Sequence, residues 1–320
     1  RNYSAAESVF LTLSKMDSLN DSYITILADL AKFKEDWNLS INYYEKAFEL
    51  NPQNYKSIDN ALQICLSAQL FNRAESICLK ILNYDSENIT YWQTYKQITA
   101  YNKNYDNTLN AILNIERING ASIKLLLEKS AIKEEQSKND EAVAHLVEAL
   151  IIDSLHIEVL QRLVALYIET NNYIDADFYN QKILDNYKDD PSGYINASII
   201  ALNNSSPNEA IRYLKLKIED LGDNYSANYL LGTSYYQIDD LTNSEKFLTN
   251  ALKLFPGSRA SKHTLAMIYD QNGSWIKSDS LYLELISTDS TDAQAYNNFA
   301  YSLVERNDNL ELALEMSIIA

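Results

Sequence analysis

Apolar and small residues recur along this chain at helical spacing, in paired clusters that return on a fixed period. The clearest stretch runs from Asn224 to Pro256. Leu231, Gly232 and Tyr235 stand at i, i+1 and i+4 and mark one face of a first helix; Ser244, Leu248 and Ala251, at i, i+4 and i+7, mark the matching face of a second. Pro256 stops the second helix, because its ring cannot continue the hydrogen-bond ladder. Gly232 and Ala251 leave room for two helices to approach closely. Small side chains keep the same phase throughout: Ala6, Ser40, Ala74, Thr108, Ala142, Ala176, Ala210, Ser244 and Ser278 each follow the last by 34 residues. Windows opened at Asp21, Tyr55, Ile89, Ile123, Ile157, Pro191, Tyr225, Arg259 and Ala293 stay in phase without net insertion. Such a period marks stacked supersecondary units, and 34 is the helix–turn–helix value.

The pattern resembles the tetratricopeptide repeat, whose signature places Leu-Gly and Tyr on a first helix, then Ala, Phe, Ala and Pro on and after a second. Leu231, Gly232, Tyr235, Ala251 and Pro256 match it, as do Leu27, Ala28, Tyr44, Ala47 and Pro52 in the first full window. In the second, Ala74 fits the small place while Cys65 and Cys78 occupy places usually aromatic. Tyr296, Phe299, Ala300 and Tyr301 open the ninth. The resemblance covers the whole chain. It implies an all-α fold, a right-handed superhelix of helix–turn–helix units whose first helices line a concave groove.

Residues 1–20 are expected to form the second helix of a repeat whose first helix is missing. Full repeats are expected at 21–54, 55–88, 89–122, 123–156, 157–190, 191–224, 225–258 and 259–292, with a partial repeat over 293–320. One solenoid domain over 1–320 follows, read as a segment of a longer protein; six Gly and four Pro leave no room for a flexible linker. Lys96, Lys129, Lys133 and Lys217 fall where apolar residues belong, so the third, fourth and sixth repeats should be the most irregular. Around Ile123–Glu141 the first helix is expected to slip by one, turning Leu127, Ser130 and Ala131 inward over a shortened turn. Ile218 is expected to replace Lys217 inward. Ala313 lies one place late and predicts a turn one residue longer.

Charge narrows the partners. With 27 Lys and Arg against 44 Asp and Glu, the formal charge is −17, which repels a nucleic-acid backbone and an anionic membrane surface. The densest basic run, Lys124, Lys129, Lys133 and Lys138, alternates with Glu128, Glu134 and Glu135 and reads as a solvated helix face. No apolar run is long enough to span a bilayer. Cys65 and Cys78 face each other's helix and read as small core residues, with a disulfide the less favoured alternative. An Asn-, Tyr- and Ile-rich style suggests an AT-rich bacterial genome, with cytosol and cell envelope both open.

No reactive constellation emerges. His145, His156 and His263 lie far apart, without a second His or Cys at ligand spacing, so no metal, cofactor or catalytic residue is assigned. His156 is expected in a solvated turn, and His263 on the inner surface. Glycines are isolated, and Asp189-Asp190 and Asp239-Asp240 sit in turns.

The first-helix face is more informative. One phase column runs Ile26, Asn60, Thr94, Glu128, Arg162, Asn196, Leu230, Thr264 and Asn298. From this column and its neighbours, the candidate partner-binding residues are Asn60, Gln63, Gln93, Gln97, Gln161 and Asn196 in the first six windows. Tyr229, Thr233, Tyr236, His263, Met267, Asn297, Asn298 and Tyr301 continue the set. Amides donate to and accept from a peptide backbone, and Tyr adds rigid area with a polar tip. A surface kept polar only for solubility is the competing reading. Resemblance to the family's asparagine ladders extends only to Asn60, Asn196 and Asn298, and the basic clamp for C-terminal carboxylates is missing. The expectation is a non-enzymatic scaffold binding a peptide or partner protein in the concave groove. The alternative is a regulatory or targeting arm of a longer enzyme; base-by-base RNA reading is disfavoured by the charge.

Overall fold

The computed structural model describes residues 3–320, and among these every regular element is a helix. The chain divides into two units, the first ending at Ile152 and the second spanning Asp153–Ala320. In the first, α1 (Tyr3–Met16) precedes the pairs α2 (Asp21–Phe33) with α3 (Trp37–Leu50) and α4 (Tyr55–Ser67) with α5 (Phe71–Tyr84). Next come α6 (Ile89–Tyr101) with α7 (Tyr105–Asn119), and α8 (Ile123–Glu135) with α9 (Asn139–Ile152). The second unit opens with α10 (Ile157–Glu169) and α11 (Tyr173–Asn186), then α12 (Pro191–Asn203) with a divided partner, α13 (Pro207–Leu216) and α14 (Ile218–Leu221). It continues with α15 (Tyr225–Gln237) and α16 (Leu241–Leu254), α17 (Arg259–Gln271) and α18 (Trp275–Thr288), and α19 (Ala293–Glu305) and α20 (Leu310–Ile319). Each first helix begins on the residue that opens its sequence window.

Turn chemistry explains the constancy of the period. Glu35, Gln69, Lys103, Ser137, Asn171, Ser205, Asp239, Gly273 and Asn307 all have left-handed φ, between 53° and 66°, and each follows the last by 34 residues. They close Schellman motifs, in which two amides beyond the helix satisfy its last carbonyls. Asp36 N–H donates to Ala31 O and Glu35 N–H to Lys32 O, both at 3.0 Å, and every other first helix ends with the same pair of bonds. At the helix starts a second position of the same period holds capping side chains: Asn54, Ser122, Asp190, Asn224, Ser258 and Asp292 accept from backbone N–H groups of the following turn.

The small-residue column lies where the two helices of a pair meet. Ser40 Oγ donates to Ala28 O at 2.9 Å and Ser244 Oγ to Gly232 O at 2.7 Å. A Cβ on Gly232 would stand 2.5 Å from Leu248 Cγ, so Gly232 lets α15 close on α16 within one repeat. A continuous core threads the first unit from Ala28 through Ile58, Cys78 and Trp92 to Leu125. Cys65 and Cys78 are free, buried core thiols, and burial pushes them up to about 11 and about 12.

Three local expectations meet the structure differently. At α8 Leu127 and Ser130 are buried as expected and Ala131 is half-buried, but Leu126 and Lys129 are buried in phase as well and Ser137 keeps its place, so the turn is not shortened. Lys129 holds the inward position because its Nζ reaches Glu116 Oε2 at 2.6 Å, which keeps a buried ammonium paired. In the sixth repeat the second helix does break, at Lys217, whose Nζ lies 3.5 Å from both Asp189 and Asp220; Ile218 packs half-buried behind it. In the ninth, α20 starts after Asn309, one residue later than the period sets, as the late Ala313 predicts.

Candidate partner-binding face

Successive first helices α15, α17 and α19 bring four selected residues to one place, of which Met267 and Tyr301 share a phase. Tyr236, Met267, Asn298 and Tyr301, one or two from each helix, line a pocket of about 270 Å³ that Trp275 closes from the start of α18. Four sequence-selected residues thus converge on one site.

Beneath them lies Asp270. Its Oδ2 accepts from Tyr282 OH and its Oδ1 from Ser302 Oγ, each at 2.8 Å, which ties α17 to α18 and α19. Burial pushes the Tyr282 phenol well above its ordinary value, with the Asp270 charge adding to it, so the hydroxyl stays a neutral donor. At the rim, Gln271 Nε2 donates to Tyr236 OH at 3.3 Å, and Tyr301 OH donates to Glu305 Oε1 at 2.7 Å. The Arg306 guanidinium lies 5.5 Å from the Trp275 ring centroid and is fixed by Asp279 at 2.8 Å.

Other selected residues are placed otherwise. Tyr229 is half-buried and stacks on Tyr225, with ring centroids 6.0 Å apart. Thr233 Oγ1 donates to the Tyr229 and Leu230 carbonyls of its own helix. Asn297 is exposed beside the half-buried Asn298. His263 does not stand on an open wall: it is only 8% exposed, its Nε2 is 3.0 Å from Asp292 Oδ2, and Arg259 meets the same carboxylate at 2.7 Å. Burial opposes ionisation of Asp292, but hydrogen bonds from Arg259, Ala295 N–H and His263 outweigh it and hold the carboxyl below its usual range. Gln161 is likewise committed, donating to Asp190 Oδ2 at 2.6 Å and Ser192 Oγ at 3.1 Å across neighbouring repeats. Asn196 lies half-buried on α12, three repeats before Asn298. His156, expected in solvent, is half-buried, and its Nδ1 finds no partner among the described residues.

In the first unit Asn60 is half-buried, and Gln63 lines a separate depression with Lys32 and Trp37. Gln93 and Gln97 flank Lys96 in another, near Lys124. Sequence reasoning passed over Asp270, Trp275, Tyr282, Ser302 and Glu305. Asp270 shares the phase of Tyr236, and that was the available signal; Trp275 and Tyr282 come from a second helix, which the first-helix column cannot reveal. Among the described residues no three His, Cys, Asp or Glu gather as a metal site, and no helix is long and apolar enough to cross a membrane.

No family model matches the chain. Human anaphase-promoting complex subunit 7 is 23% identical over 175 residues, covering 54% of this chain and 31% of that protein. The chain therefore matches under a third of that relative's length. A crystal structure of a tetratricopeptide repeat protein from Parabacteroides merdae superposes with TM-score 0.54 at 13% identity, covering 83% of this chain and 98% of the other. The fold is that of the tetratricopeptide repeat. The crystal structure of the APC/C hetero-tetramer Cut9–Hcn1 agrees, with TM-score 0.55 at 14% identity, over 92% of this chain and 58% of that one.

Proposed function

We propose that this chain is a non-enzymatic protein-interaction scaffold whose first-helix face holds a peptide or helix of a partner protein, with the pocket between α15, α17 and α19 as an anchor point. The convergence of Tyr236, Met267, Asn298 and Tyr301 carries the reading. Stacked repeats offer an extended face to a partner, and aromatic side chains settled in pockets dominate such contacts. That a human relative is by name a subunit of a complex supports a role in assembly.

The test is affinity purification of the chain with its co-purifying partner. Replacing Met267 and Tyr301 together with Ala should reduce the recovered partner at least about tenfold, the loss of a central aromatic anchor. Ile276→Ala, on the exposed side of α18, should leave recovery unchanged. Equal recovery by all three proteins would place the partner elsewhere.

A further inference from the structure

We infer that the α15–α17–α19 pocket accepts a cationic side chain, arginine above all, from the segment it holds. The inference rests on the scaffold reading and specifies the chemistry of its anchor. Two carboxylates, Asp270 at the base and Glu305 at the rim, face the cavity together with the rings of Tyr236, Trp275 and Tyr301. No Lys, Arg or His is among its lining residues. Aromatic faces carry negative quadrupole potential, so rings and carboxylates favour the same guest.

Asp270 has capacity to spare. Each of its oxygens accepts one hydroxyl bond, and an ionised carboxylate offers about four acceptor sites. Neither hydroxyl neutralises its charge, and the nearby Arg306 guanidinium, which feels that charge, takes its own hydrogen bond from Asp279. Glu305 is exposed and accepts one bond from Tyr301, which leaves its second oxygen for an incoming donor. A guanidinium suits this setting better than an ammonium, because its plane stacks on a ring while its edge donates to carboxylates. Arg306 already lies over the Trp275 ring, so the rings of Tyr236 and Tyr301 are the ones left to a guest. The formal charge of −17 would draw a basic segment toward the face before it docks.

The experiment follows the Trp275 indole N–H by NMR in the full chain, titrated with N-acetyl-arginine amide and with the neutral isostere N-acetyl-citrulline amide. The expected result is a saturable millimolar shift with the arginine probe and binding at least tenfold weaker with citrulline. Glu305→Gln, an exposed change that leaves the Asp270 hydrogen bonds intact, should weaken the arginine probe severalfold, and Asp270→Asn should weaken it further. Equal binding of the two probes, or unchanged arginine binding in both variants, would overturn the inference. If the arginine probe fails while the Met267 and Tyr301 replacements still abolish partner recovery, only the cationic guest is wrong. If recovery survives those replacements, the scaffold reading of this pocket falls with it.

Discussion

At the residue scale, nine turns impose one backbone conformation on nine different side-chain contexts. Left-handed φ is strained for any residue with a Cβ, and only Gly273 escapes the strain. A Cβ on Gly273 would meet nothing closer than Trp275 at 3.8 Å, so substitution there isolates backbone strain from crowding. Gly273→Ala should destabilise by about 1 kcal/mol, and Gln69→Gly should stabilise by a smaller amount, since glycine also loses more entropy on folding. Denaturant midpoints of the two variants check this. Shifts of the opposite sign would mean that these turns are not left-handed in solution.

At the element scale, the small-residue column sets how closely paired helices pack. Gly232, which faces the column's Ser244 from α15, is a tight case, because Leu248 fills the space a side chain would need. Gly232→Leu should cost about 1–3 kcal/mol through overpacking and lower the melting temperature. A melting temperature equal to wild type would contradict the close α15–α16 contact. Much of this level was readable from sequence: the period located every first-helix start, and Lys217 and Ala313 flagged two real irregularities. Lys129 misled, because an inward lysine suggests a slipped register until its partner Glu116 on the preceding helix is seen. His263 and Gln161 misled for the same reason. Their phase puts them on the first-helix face, but Asp292 and Asp190, 29 residues further on, tie them to the N-caps of the next first helices. Phase along one helix locates a side chain and leaves its partners undefined.

At the scale of the whole molecule, each unit is built from repeats that pack on their neighbours, and the formal charge of −17 would attract the basic segment proposed for the pocket. The pocket of α15, α17 and α19 brings aromatic and acidic groups together on the first-helix face of the second unit. Site-resolved photo-crosslinking tests its role most directly, with a photoreactive phenylalanine placed in turn at positions 298, 301 and 276 of the intact chain. Partner adducts are expected from 298 and 301 and none from 276. Adducts from 276 alone would contradict that role.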